Sequence, residues 1–179
     1  MPAPVVTPRT WVVGEVVTAA MMNAEIRDQM TGLVGILCCT QVVATAFSLP
    51  SHASNYTAIS WASIASSNDT SMWNSGQATR LVAPRAGTYI IHGGITWPGT
   101  LSTNDARTEI RANGSGTVLS TAKSGTQRGS TGNMQSTFSG VAIFTAASQY
   151  IEVFCNQNSG SSLSLPATFG MTCVSQATS

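Results

Sequence analysis

Apolar and polar residues alternate with a period of two through much of this chain, most clearly between Thr79 and Gly116. A Pro-x-x-Gly turn (Pro84, Gly87) opens a run from Thr88 to Trp97. Successive strand side chains point to opposite faces, so Tyr89, Ile91, Ile95 and Trp97 share one side. A second run, Ala106 to Ala112, sets Ala106, Ile110 and Ala112 inward and Arg107, Glu109 and Arg111 toward water. It closes on Asn113-Gly114, a strong hairpin signal because both residues tolerate positive φ. The pattern predicts antiparallel strands with one wet side.

The same reading extends to other strands. Gly35–Phe47 is a long one, in which the neighbours Cys38 and Cys39 must face opposite ways. Thr57–Ile64 is another, with Ile59 and Trp61 on one side. The polar stretch between Ser66 and Gly76 is a loop whose Met72 and Trp73 need burial; such a tryptophan either plugs a sandwich end or offers a sugar platform. Thr117–Lys123, Met134–Thr145, Tyr150–Gln157 and Thr168–Val174 follow as strands. Ser124–Asn133 is a polar surface loop, and Asn158–Ser162 is a turn ahead of Leu163, Leu165 and Pro166. Eight to ten short strands with turn signals about every ten residues indicate an all-β sandwich or jelly roll.

Only the N-terminus departs from this period. Met1 to Pro8 holds three prolines and reads as an extended arm. Thr18 is placed to cap a helix running to about Met30, with Gly32 near its end. Met22, Ile26, Met30 and Leu33 form an apolar stripe at helical spacing. A helix this short is marginal alone, so the stripe must pack on something. The chain therefore divides into residues 1–32, an arm and anchoring helix, and residues 33–179, the β domain.

Charged residues make up 8% of the chain, against about 25% in ordinary soluble proteins. A surface this poor in charge suits either burial in an assembly or a tough extracellular β structure. The net charge of +1 comes from scattered residues, which gives no footprint for nucleic acid or an acidic membrane surface. The start lacks the basic and apolar regions of a signal peptide, and Leu33–Phe47 is too short to span a bilayer.

Four cysteines stand at 38, 39, 155 and 173, without C-x-x-C spacing or a histidine nearby in sequence, so no zinc site is expected. Cys155 and Cys173 read as buried apolar thiols, with a Cys155–Cys173 disulfide the alternative. No nucleophile elbow, phosphate loop, zinc-protease motif or dinucleotide fingerprint occurs. His52 and His92 read as hydrogen-bonded surface or interface residues rather than catalysts. Asp69, Asp105 and Glu109 lack the spacing of a calcium loop. An enzyme is not expected, nor a metal or other cofactor.

The pattern L-x-A-P-x-x-G-x-Y, a Trp-ended strand and R-x-x-I-x-x-N-G resembles the globular head of the C1q and tumour-necrosis-factor superfamily. Tyr150–Gly160 (Y-I-E-V-F-x-x-Q-x-S-G) and Thr168–Met171 fit the same pattern, so the resemblance spans Val34 to Val174. With Asn68–Trp73 ahead of it, this version looks most like C1q-like domains of bacteriophage virion proteins. The leader Trp11–Gln29 resembles the anchoring segment that opens many actinobacteriophage tail and fibre proteins. The resemblance implies a C1q/TNF-like jelly roll and a homotrimer. It also implies a particle component, at tail tip, fibre or capsid surface, made in a bacterial host cytoplasm and partnered by other virion proteins. On that reading Trp11, Val12, Val13, Met22, Ile26 and Met30 anchor the chain. Tyr89, Tyr150 and Phe154 are candidates for the trimer seam. The alternative function is recognition of host-surface glycan by loops around Trp73, Trp97, Asn104 and Arg128.

Overall fold

Residues whose side chains alternate between oil and water can satisfy both only in a sheet with one covered face, and two such sheets cover each other. The computed structural model describes residues 12–23, 26, 38–52, 55–98, 106–114, 117–123 and 134–176. Ten strands lie among them. They are β1 (Cys39–Leu49), β2 (Thr57–Ala58), β3 (Ser63–Ser67), β4 (Arg80–Val82), β5 (Gly87–Trp97), β6 (Arg107–Ala112), β7 (Thr117–Lys123), β8 (Met134–Phe144), β9 (Tyr150–Asn156) and β10 (Leu163–Gln176). The first sheet has the order β3-β1-β10-β5-β8; the second has β2-β9-β6-β7, with β4 also paired to β9. Every pairing is antiparallel. This is the sandwich that the alternation predicts.

The core fills the space between the sheets. Tyr89, Ile91, Ile95 and Trp97 of β5 are all buried, as the run predicts. They meet Ile151, Val153 and Cys155 of β9 and Phe169, Met171 and Cys173 of β10 in one apolar cluster. Trp61 stacks on Phe169 at 5.5 Å, and Phe144 tilts against Tyr89 at 5.4 Å. Each large side chain removed from water contributes about 2–3 kcal/mol. Gly93 is required here: a Cβ would lie 2.4 Å from the Thr168 carbonyl oxygen and 2.5 Å from the Phe138 ring, which fills its space.

Three elements differ from the sequence expectation, the first being the short strand β4, which the alternation does not predict and which pairing with β9 creates. The predicted strand Thr57–Ile64 is two short strands, one in each sheet, because the chain crosses between layers there while Ile59 and Trp61 stay buried. Leu163–Gln176 is one strand running through Pro166. The register of β1 against β10 slips between Ala44 and Phe47, beside that proline, so its missing N–H costs the ladder little. The expected hairpin is present: Asn113 and Gly114 have φ of 51° and 87°, between β6 and β7.

At the N-terminus residues 19–23 and 26 are helical, and the Thr18 hydroxyl accepts from the Met21 amide at 3.2 Å, the expected cap. The remainder of the predicted helix lies outside the described residues, as do Ser124–Asn133 and Asp105. Among the described residues no helix is long and apolar enough to cross a membrane.

Candidate functional site

The charged residues are divided unequally between the two sheets. The strands of the second sheet carry Arg80, Arg107, Glu109, Arg111, Lys123 and Glu152, whereas β1, β3, β5, β8 and β10 hold no Asp, Glu, Lys or Arg at all. The outward face of the first sheet is thus built from apolar and uncharged polar side chains together with His92. Register fixes who stands beside whom: Ile90 faces Val141, Thr88 faces Ile143, and Ser175, next to Val174, also faces Thr88. Ile90, Val141, Ile143 and Val174 are 44%, 58%, 75% and 41% exposed. Apart from residues of the N-terminal segment, these are the exposed large apolar residues of the described chain.

His92 lies at the middle of this face, between Gly170 and Ser139. Its ring lies so close over Gly170 that a Cβ there would come within 2.4 Å of Nε2. Below it a groove of about 600 Å³ runs among Val43, Thr45, Gly94, Thr137, Pro166 and Thr168. The groove exists because Gly94 has no side chain and β1 bulges beside Pro166. Cys39, Thr172, Ile90 and Val141 form one row across four strands, so the N-terminal segment joins the β domain level with the apolar patch.

The sequence candidates for a trimer seam do not lie on this apolar face. Tyr89 is sealed inside its own sandwich, its hydroxyl donating to the Arg85 carbonyl at 2.9 Å, so it has no surface to share. Tyr150 and Phe154 project from the outer face of the second sheet. Arg80 covers the first ring at 4.1 Å and Arg111 covers the second at 4.4 Å. Glu152 stands between them, 5% exposed, accepting from Arg80 at 3.2 Å and the Thr79 hydroxyl at 2.7 Å. Glu109 pairs with Arg111 at 2.7 Å. Beside them, burial and then the Glu109 carboxylate push the Tyr56 phenol up from its ordinary pKa. These aromatics alternate as the sequence shows, but the alternation does not say which side of a strand faces its partner sheet.

The loop candidates divide similarly. Trp97 ends β5 in full burial and is not a loop platform, because its ring closes one end of the core. Trp73 is half-buried on the core, its Nε1 donating to the Ala78 carbonyl at 3.2 Å, while Met72 beside it is fully buried. Asn104 and Arg128 lie outside the described residues. Of the anchoring candidates, Val12, Val13, Met22 and Ile26 are all exposed, and Trp11 and Met30 lie outside. Asp69 accepts from the Ser71 amide at 3.1 Å, capping a single 3-10 turn, and the described residues contain no group of three potential metal ligands.

This arrangement of two five-stranded antiparallel sheets is the C1q/TNF-like jelly roll, and comparison with solved structures agrees. The globular domain of zebrafish complement 1qA superposes with a TM-score of 0.57 at 7% identity, covering 79% of this chain and 99% of that one. PRD1 vertex protein P5 matches with 0.52 at 14% identity, covering 78% and 98%, and murine APRIL with 0.51 at 10%, covering 74% and 98%. No protein-family model matches the sequence, and no curated protein matches it either.

Proposed function

We propose that this chain is a homotrimeric structural protein of a bacteriophage particle, held to the particle by its N-terminal segment. One observation carries the trimer: the outward face of the first sheet has no charged residue and exposes Ile90, Val141 and Ile143 near the edge strand β8. An apolar edge left in water invites uncontrolled pairing, and covering it with another subunit removes that hazard. Five strands of five to fourteen residues at about 4.8 Å spacing give a face of roughly 850 Å². A stable interface buries about 800 Å² per partner. Two further copies of the same chain are the occupants, because the opposite sheet carries a charged exterior whose Arg80–Glu152 and Arg111–Glu109 pairs are made within the chain.

The particle role rests on the leader Trp11–Gln29, which resembles anchoring segments of phage tail and fibre proteins, and is supported by the shared fold of a vertex protein. Exposed Val12, Val13, Val16, Met22 and Ile26 offer an apolar strip that nothing in the described chain covers. Three such strips on one trimer multiply a weak contact into firm attachment. The work done is assembly, not turnover. Changing Val13, Met22 and Ile26 together to Ser should leave the trimer intact and abolish its incorporation into particles. Undiminished incorporation would refute the anchor.

A further inference from the structure

We propose that Cys38 and Cys173 form a dormant cross-strand disulfide site, closed by thiol–disulfide exchange with a small-molecule disulfide. Cys39 pairs with Thr172, so one step further along both strands Cys38 stands opposite Cys173. The Cys173 amide donates to the Cys38 carbonyl at 2.8 Å, which fixes the pair at that spot. Residues opposed in this way have Cα atoms about 5.5 Å apart. That falls within the roughly 4.4–6.8 Å that a disulfide spans. Both side chains are buried in the core, where Cys173 is also the register partner of Tyr89.

Neither thiol is reactive in the closed protein. Burial, reinforced by Cys173, pushes the Cys38 thiol up to about 11, and the nearby Arg85 guanidinium only partly opposes this. Cys38 lies just ahead of β1, however, and Cys173 lies near the end of β10, and strand ends open more readily than strand centres. In the exchange the Cys38 thiolate attacks one sulfur of oxidised glutathione and expels one glutathione thiolate. The Cys173 thiolate then attacks the Cys38 sulfur of the mixed disulfide and expels the second. One S–S bond is broken and one formed, and the two protons leave on the two released thiols. Cys155 belongs to the second sheet, where its register partners are Thr57 and Thr108 rather than a cysteine.

The full chain carrying Cys39→Ser, which removes the outward thiol, is incubated with oxidised glutathione at mildly alkaline pH and mapped by mass spectrometry. The expected product has lost two hydrogens, contains a Cys38–Cys173 linked peptide, and melts several degrees higher until reduced, since the bridge closes a loop spanning most of the β domain. The wild-type chain gives the same linked peptide, and Cys38→Ser gives none. Recovery of Cys38 and Cys173 as free thiols or as separate glutathione adducts, or a bridge containing Cys155, would overturn the proposal. None of these outcomes depends on the oligomeric state.

Discussion

Single residues in this chain are constrained mainly by what the neighbouring strands leave room for. Gly93→Ala places a methyl group against the Thr168 carbonyl and the Phe138 ring, so overpacking should cost about 1–3 kcal/mol, read as a lowered urea midpoint. Neighbouring Gly94→Ala meets only ordinary contacts, at 3.5 Å and beyond, and should cost much less. The buried thiols give a pH dependence. Cys38 is raised from 9.0 to about 11, and Cys155 and Tyr89 move the same way by desolvation. A group held protonated in the folded state contributes its full stability below the unfolded pKa and loses it as pH rises toward the folded one. Stability measured in urea should therefore fall steadily between pH 9 and 11, and a flat profile would contradict the burial of these groups. The inward set Tyr89, Ile91, Ile95 and Trp97 was legible from the period of two. That Tyr150 and Phe154 face outward was not, since Y-I-E-V-F-C alternates between two largely apolar sets. Only the position of the opposite sheet decides between them.

At the scale of elements, local chemistry was readable wherever a turn demanded a particular residue. Asn113 and Gly114 both take positive φ, the Asn113 side chain accepts from the Tyr150 amide at 3.0 Å, and a Cβ at Gly114 would lie 2.6 Å from the Tyr150 hydroxyl. Gly114→Ala should thus cost about 1–3 kcal/mol in denaturant melts, with Asn113→Ala costing a similar amount. Loss of neither stability nor cooperativity would show that the hairpin is not set by this turn. The crossing after Ala58 and the continuity of β10 through Pro166 were not legible, because both depend on partners distant in sequence. Thr57 pairs with Cys155, and the Pro166 region is accommodated by a slip in β1. Periodicity reports which residues are apolar, and not which strand lies next to which.

Across the whole molecule, the scarcity of charge pointed to an assembly, but its segregation appeared only once the strands were assigned to sheets. Each stretch of sequence carries a few charges or none. Topology gathers the uncharged β1, β3, β5, β8 and β10 into one sheet and puts the carboxylates and guanidiniums of β4, β6 and β9 on the other. Placing a carboxylate on the uncharged face should disrupt assembly without unfolding the sandwich, because Ile143 and Val141 point away from the core. Ile143→Asp and Ile90→Asp are therefore expected to give a folded monomer, with an unchanged β spectrum and loss of subunit contacts, while Arg111→Ala on the opposite sheet leaves assembly intact. The decisive measurement is the mass of the wild-type protein in solution by light scattering across a range of concentrations. Three times the 18.6 kDa chain is the predicted result, falling to one chain in Ile143→Asp. A wild-type mass of a single chain at every concentration would contradict the reading of this face as a seam between copies.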